Sequence, residues 1–226
     1  FANVGLSSFL NQFRADVDTI ETLDREEEGR LARRIEFARM RMGIAICAAD
    51  ITPEDVEGGI AHTGLGWTRE VAEETVAASR LPEEVARRWV ELHALRTELV
   101  ERNLYLVLIN VERYAQTGAS RVDLIQEGSI ALFRAVDGFD WRRGLLFRTY
   151  AVHWLNQAFR NYLYNFGHTV RVPIYLQKVM KQVNEAKIRL GDPTASSAEI
   201  AKEGEIDQHL VDSALSATRM SLSLDA

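Results

Sequence analysis

The sequence has few residues that would cross-link or break a chain. It contains one cysteine, Cys47, and four prolines among 226 residues. One cysteine excludes an internal disulfide, and no cysteine–histidine spacing typical of a zinc site occurs. Fourteen glycines are also few, and long alternating runs of β-branched residues are absent. Because Glu, Arg, Ala and Leu are common instead, the composition predicts an all-α fold.

Signals for export, membrane insertion and catalysis are also missing. No stretch is apolar over the roughly 20 residues that a transmembrane helix needs, and the first residues lack the pattern of a signal peptide. The five histidines are scattered without metal-ligand spacing, and no nucleophile–base pair or glycine-rich phosphate loop occurs. We therefore expect a cytoplasmic protein that binds no metal or cofactor and is not an enzyme by itself.

Charge is unevenly distributed along the chain. The net charge is −6, yet the segment 141–190 holds nine basic residues and only one acidic residue, Glu185. The same segment holds nine aromatic residues, from Trp141 to Tyr175. Phosphate attraction acts locally, since salt screens charges beyond about 10 Å. A basic run is often only a solvated helix face, but basic and aromatic residues interleaved are typical of single-stranded nucleic-acid binding.

Capping patterns predict the first helices. Asp24 and Glu27 have capping-box spacing, which predicts a helix over about 25–47. A short helix should begin near Pro53. Pro82 suits the first turn of a long helix that we expect to continue to Tyr114.

Similar patterns predict the remaining helices. Asp123 and Gln126 suggest a capping box and a helix to about Asp137. Thr149 is expected to cap a helix that ends near Asn165, before Gly167. Further helices are predicted from Pro173 to Leu190, after the cap at Ser196, and from about Asp207 to Thr218.

Three motifs in the middle of the chain are specific when taken together. They are 123–128 (DLIQEG), 135–140 (AVDGFD) and 147–151 (FRTYA). In this combination they resemble the second conserved region of bacterial RNA polymerase sigma factors of the seventy-kilodalton, housekeeping type. Segments 23–28, 32–36, 171–173 and 221–225 resemble neighbouring parts of the same family.

The resemblance implies a domain organisation. Residues 1–37 would end the first conserved region, and 38–95 would be a variable helical insert. Residues 96–167 would form the helical domain two of a sigma factor, and 168–226 a small three-helix domain three. The family's fourth region and its linker finger are absent from the sequence, so we expect a fragment of a longer protein.

The resemblance also implies partners. The helix that begins near Asp123 would dock on the clamp coiled coil of the largest subunit of core RNA polymerase. Side chains three or four residues apart give this helix an acidic, amide-bearing face that suits a basic partner. The expected polymerase-binding residues are Asp123, Gln126, Glu127, Ser129, Ile130 and Phe133. Whether an anti-sigma factor also binds stays open.

Promoter DNA, both duplex and single-stranded, is the second implied partner. Phe139, Asp140, Arg143, Phe147, Thr149 and Tyr150 would form a pocket for a flipped adenine, although the aromatic residues alone also suit a core. Asn103, Leu106 and Arg148 would form a second pocket, for a downstream thymine. The helix from Thr149 would read the minus-ten element in the major groove. The remaining expected DNA contacts are Arg142, His153, Trp154, Gln157, Arg160, Asn161, Arg171, Tyr175 and Lys178.

Departures from the housekeeping pattern suggest an alternative sigma factor. His153-Trp154 replaces a pair of tryptophans that wedge the duplex, as in heat-shock-type relatives. Leu145 stands where a pocket aromatic is expected, and Arg148 replaces a serine. Tyr175 and Lys178 replace a histidine and a glutamate. Weaker melting, altered specificity, or both would follow.

Two other classes of function remain open. The losses at Leu145 and His153 also fit a polymerase-binding regulator that does not melt DNA. Residues 196–218 weakly resemble a helix-turn-helix, as in a repressor, but the segment 191–226 is acidic, which is unfavourable for DNA binding. A small helical enzyme is the least favoured reading, because no site for it is present.

Overall fold

The computed structural model describes residues 2–59, 69–114, 116, 118–167 and 172–217. All regular structure in these residues is helical, which confirms the predicted all-α class. The expected contact at Arg171 and the motif at 221–225 lie outside the described residues. No helix in the described part of the chain is long and apolar enough to cross a membrane. The helices are α1 (Ala2–Asp18), α2 (Arg25–Ala49), α3 (Pro53–Gly59), α4 (Arg69–Ala78), α5 (Glu83–Glu101), α6 (Tyr105–Arg113), α7 (Arg121–Gly138), α8 (Phe147–Phe166), α9 (Ile174–Leu190), α10 (Ser197–Gly204) and α11 (Gln208–Ala217).

The chain divides into two compact units. The first comprises 1–115 and 120–158, and the second comprises 116–119 and 159–226. In the first unit α2 packs against α5, and α7 packs against both α5 and α6. In the second unit α9, α10 and α11 pack against one another around an apolar cluster that includes Val183, Ile200 and Val211.

Local caps formed where the sequence predicts them at two helices. The Asp24 side chain accepts from the Glu27 N–H, and Glu27 Oε2 accepts from the Asp24 N–H at 3.0 Å. Ser196 and Glu199 make the same reciprocal pair at the start of α10. Each pair satisfies two backbone donors at a helix start with residues three positions apart, so local sequence is sufficient to specify it.

The long helix predicted from Pro82 to Tyr114 is wrong in one respect, because it breaks after Glu101. The Asn103 side chain is buried, and its Nδ2 donates to the Leu99 carbonyl at 2.8 Å. In a continuous helix that carbonyl would accept from the Asn103 backbone N–H, which donates instead to Val100 O at 2.9 Å. The buried amide therefore accompanies a tighter turn, and the chain resumes as α6.

The predicted cap of α7 is also wrong. Ser120, rather than Asp123, is the N-cap residue, and its hydroxyl accepts from the Asp123 N–H at 3.4 Å. Asp123 therefore lies in the first turn of the helix. There the positive N-terminal end of the helix dipole stabilises its negative charge.

Candidate nucleic-acid and partner interface

The start of α8 is fixed by a side chain from α2. The Phe147 N–H donates to Glu28 Oε1 at 2.7 Å, so the helix begins two residues before the predicted cap, Thr149. Burial raises the pKa of the Glu28 carboxyl above its usual value, opposed by the Phe147 hydrogen bond and by the charges of Arg148 and Arg25. A buried carboxylate with a backbone partner is thus a tertiary cap.

The link between α7 and α8, residues 139–146, is short and is ordered by side chains from within it and from α2. Asp140 Oδ1 accepts from the Arg142 N–H at 3.1 Å and starts a single 3-10 turn, Trp141–Arg143. Gly144 ends this turn with φ of 69°, a left-handed conformation that favours glycine. Its carbonyl accepts from Arg25 of α2 at 3.0 Å. The sequence predicts a loop here, bracketed by glycines, and the loop contains this turn.

Glu36 of α2 holds two adjacent side chains of the link. Its Oε2 accepts from Trp141 Nε1 at 3.0 Å, and its Oε1 accepts from Arg142 Nη2 at 2.8 Å. Both hydrogen bonds lower the pKa of the Glu36 carboxyl, and the one from Arg142 lowers it more. The guanidinium groups of Arg142 and Arg33 lie 4.8 and 5.4 Å from the Trp141 ring centre, within cation–π range.

Two arginines from different helices converge on Asp137 near the end of α7. Arg39 of α2 lies 3.3 Å from Asp137 Oδ1 and also donates to the Asp137 carbonyl at 3.2 Å. Arg96 of α5 donates to Asp137 Oδ2 at 2.6 Å. The negative C-terminal end of the α7 dipole stabilises both positive charges. The same ion pairs join α2 and α5 to α7 beside the link.

These contacts come from one face of α2, which carries Arg25, Glu28, Glu36 and Arg39. We call this face the splint. The four residues contact Gly144, Phe147, Trp141 with Arg142, and Asp137 respectively. Their spacing places them on one side of the helix. Residues 137–147, which include four of the six residues expected to hold a flipped adenine, are therefore held along their length by α2.

Four aromatic rings, which we call the aromatic row, follow one another from the link into α8. Phe139 meets Phe147 edge-on at 5.3 Å and Tyr150 at 5.9 Å, and Tyr150 meets Trp154 at 6.3 Å. The rings also close over Gly138, where an added Cβ would lie 2.6 Å from the Tyr150 hydroxyl. A side chain at this position would push the aromatic row apart.

The structure brings most of the predicted adenine-pocket residues together. Phe147 is fully buried in the core, while Phe139 and Tyr150 are half-buried. Arg143 is exposed and lies 3.6 Å from Asp140. Thr149 and Arg148 are exposed on the first turn of α8. A cavity of about 120 Å³ lies beside this group, lined by Phe139–Arg142 and by residues of α2, α5 and α7.

The residues of the predicted thymine pocket differ in exposure. Asn103 and Leu106 are buried, and the Asn103 amide is bonded to a backbone carbonyl. Arg148 is exposed. In this conformation, two of the three side chains belong to the core of the first unit.

Helix α8 presents a polar face at the spacing that the sequence predicts. His153, Gln157, Arg160 and Asn161 are exposed, and Trp154 is half-buried. Leu155 and Phe159, on the opposite side, are fully buried in the core. The unit boundary falls within this helix.

Helix α7 is amphipathic in the predicted sense. Its exposed side includes Gln126 and Ile130, and 48% of Ile130 is accessible. Asp123, Glu127, Ser129 and Phe133 are half-buried. The Ser129 hydroxyl donates to the Ile125 carbonyl at 2.9 Å, and Phe133 packs under Arg96 and beside His93. The outermost part of the predicted docking face is therefore Gln126 and Ile130.

Two further predicted DNA contacts lie on the first turns of α9. Tyr175 and Lys178 are both exposed, Tyr175 by 61%. Within the described ranges, no group of three or more His, Cys, Asp or Glu side chains is placed to hold a metal ion.

Sequence reasoning missed the splint and Trp141 as a site residue. Glu28 and Glu36 are acidic residues in a region rich in charge, and nothing local distinguishes them from solvated side chains. A weak signal was available, since Arg25, Glu28, Glu36 and Arg39 recur at helical spacing on one face of α2.

Comparison with known proteins identifies the central part of the chain. Residues 99–165 match the family model of sigma-70 region 2. The chain is 30% identical over 179 residues to the RNA polymerase principal sigma factor HrdD of Streptomyces griseus, covering 76% of this chain and 53% of that protein. It is 34% identical over 203 residues to HrdC of Streptomyces coelicolor, another RNA polymerase principal sigma factor, covering 88% of this chain and 53% of that protein.

The chain thus spans about half the length of the curated relatives it matches. The matched residues 99–165 include α6, α7, the link and nearly all of α8. These are the elements that carry the aromatic row and the exposed faces of α7 and α8. Residues 99–165 belong to the sigma-70 region 2 family, and the chain is similar over most of its length to RNA polymerase principal sigma factors.

Proposed function

We propose that this chain binds core RNA polymerase and recognises and opens the minus-ten element of promoters. The observation that carries the proposal is the ordered aromatic row beside exposed Arg143 and Arg148, within a sigma-70 region 2. Aromatic faces stack on unpaired bases and guanidinium groups attract the strand, so the arrangement suits melted DNA. The relatives are described as RNA polymerase sigma factors, which supports the same partner here.

The proposed docking site for the polymerase is the exposed side of α7. Gln126 and Ile130 are the outermost side chains, with Glu127, Asp123, Ser129 and Phe133 beside them. An apolar centre with amide and acidic neighbours is a chemistry that a basic helix can bind. The clamp coiled coil of the largest subunit is the proposed partner surface.

The first test is binding of the full chain to core RNA polymerase. We expect Gln126→Ala/Glu127→Ala to weaken binding at least about ten-fold, which corresponds to roughly 1.4 kcal/mol for a polar contact pair. Gln182→Ala/Glu185→Ala on the exposed face of α9 removes the same residue types and serves as the control. Wild type that fails to bind, or two double variants that bind alike, would contradict the proposed docking site.

Promoter reading is proposed for α8 and the link. Gln157 and Arg160 would contact base edges or phosphates from the exposed face of α8. A flipped adenine would stack on Phe139 and Tyr150, whose rings are half-buried. Because Phe147 is fully buried, its proposed part is to support these rings from beneath.

An alternative sigma factor is the finer proposal. His153 is exposed where a tryptophan wedge is expected, and Leu145 is 53% accessible in the link. An imidazole and an aliphatic side chain stack on bases less well than large aromatic rings do. Weaker melting by these residues would restrict the chain to promoters that open easily.

Replacement of His153 tests this finer proposal. We expect His153→Trp to increase the number or intensity of permanganate-reactive thymines on a promoter with imperfect pairing at its upstream end. His153→Phe, which adds a smaller ring, should give a smaller gain. Absence of any gain would favour the other candidate, a polymerase-binding regulator that does not melt DNA.

A further inference from the structure

Arg142 is an expected DNA contact in the link, and its guanidinium is bonded to α2. Its Nη2 donates to Glu36 Oε1 at 2.8 Å, while 59% of the side chain remains accessible. A weaker approach, 3.8 Å, joins Nη1 to Asp140. The charge that would attract a DNA strand is therefore already partnered in the protein.

The carboxylate of Glu36 is chemically similar to the DNA phosphate that would replace it on Arg142. A carboxylate and a phosphate both offer anionic oxygen pairs to the planar fork of an arginine, with similar donor–acceptor distances. Glu36 also accepts from Trp141 Nε1, so the same carboxylate fixes the neighbouring ring. Releasing Arg142 to DNA requires a phosphate oxygen to replace Glu36 Oε1.

We infer that Glu36 is a specificity-determining residue, which occupies Arg142 as an internal substitute for a DNA phosphate. The inference rests on the proposed function, since it assumes that the link meets a DNA strand. A random strand then gains little from Arg142, because its phosphate must compete with a carboxylate already in place. A strand that is already held by α8 and the aromatic row places its phosphate beside Arg142 at high local concentration. This phosphate then displaces the Glu36 carboxylate from Arg142.

The test is Glu36→Gln, with a thymidine oligonucleotide as the probe. Glutamine retains an amide oxygen for Trp141 Nε1 but has no charge to hold Arg142. One additional phosphate contact on a single strand steepens the dependence of log affinity on log salt by about 0.7. The same relation gives about five-fold tighter binding at roughly 0.1 M salt.

Two controls isolate the effect. Glu83→Gln on α5 makes the same change in net charge and also releases an exposed arginine, Arg87, from a pair at 2.6 Å. It should give clearly less tightening than Glu36→Gln. In the double variant Glu36→Gln/Arg142→Gln the gain should vanish, and Arg142→Gln alone should weaken binding by less than about two-fold, since Arg142 is occupied in the wild type.

The outcomes separate this inference from the proposed function. Glu36→Gln that binds the oligonucleotide no more tightly than Glu83→Gln does, or a gain that survives in the double variant, would overturn the inference. Neither result depends on polymerase or on a promoter sequence. Failure of the proposed function would show separately, as wild-type chain that does not bind core polymerase.

Discussion

Single residues of the splint link stability to pH. Burial raises the pKa of Glu28 in the folded chain, so the folded state binds this proton more tightly than the unfolded state. The contribution of Glu28 to stability is therefore highest when it is protonated. This contribution decreases as the pH rises from the pKa of Glu28 in the unfolded chain through its pKa in the folded chain.

Glu28→Gln tests that sign. We expect the stability of the wild type relative to the variant to fall as the pH rises from about 4 to 7. The measurement is the urea midpoint of both proteins across that range. Glu27→Gln, in the exposed capping box of the same helix, makes the same change of charge and is the control for local charge. A difference between wild type and Glu28→Gln that is constant with pH would contradict the assignment of a buried, ionising cap.

At the scale of elements, caps that are local in sequence were predictable and caps from another helix were not. The pairs Asp24–Glu27 and Ser196–Glu199 depend only on residues three apart. The cap of α8 comes from Glu28, 119 residues earlier in the chain, and no local pattern indicates it. At α7 two patterns compete locally, Ser120 with Asp123 and Asp123 with Gln126, and the structure selects the earlier one.

The choice at α7 gives an element-scale prediction. Ser120→Ala removes the cap of α7 and should lower the free energy of unfolding by about 1 kcal/mol. Ser120→Asp should restore most of it, because aspartate caps as well as serine does. Urea denaturation measures both. Asp123→Asn retains a polar side chain and loses only a charge near the helix start, so a loss of about 0.3–1 kcal/mol is expected. Because asparagine caps as well as aspartate does, the decisive comparison is with alanine: a larger loss in Asp123→Ala than in Ser120→Ala would reinstate Asp123 as the cap.

At the scale of the whole molecule, the sequence predicts the class of fold and the sites by two different routes. Composition and helical spacing are enough to predict an all-α chain. The break at Asn103 could not be predicted in the same way, because it depends on where a buried amide finds an acceptor. The aromatic row was predicted as a group, whereas its separation into buried Phe147 and half-buried Phe139 and Tyr150 required the packing of α8.

Charge is also organised at this largest scale. The chain has a net charge of −6, but its segment 141–190 holds nine of the 27 basic residues and only one acidic residue. The splint adds acids to the edge of that segment, since Glu28 and Glu36 lie against its first residues. We therefore expect these two carboxylates to weaken the attraction of a DNA strand at the first residues of the segment.

The splint also sets an order of events during synthesis. Its partners are separated from it by 98 to 119 residues, so α2 leaves the ribosome long before residues 137–147 exist. At about 5–20 residues per second, α2 waits roughly 5–20 s for the segment that it holds. The link cannot be shaped until its last residues emerge, and contacts this distant in sequence form late in folding. A nascent chain arrested before residue 147 would therefore lack the Phe147 N–H that Glu28 accepts from, and we expect its link to be unordered.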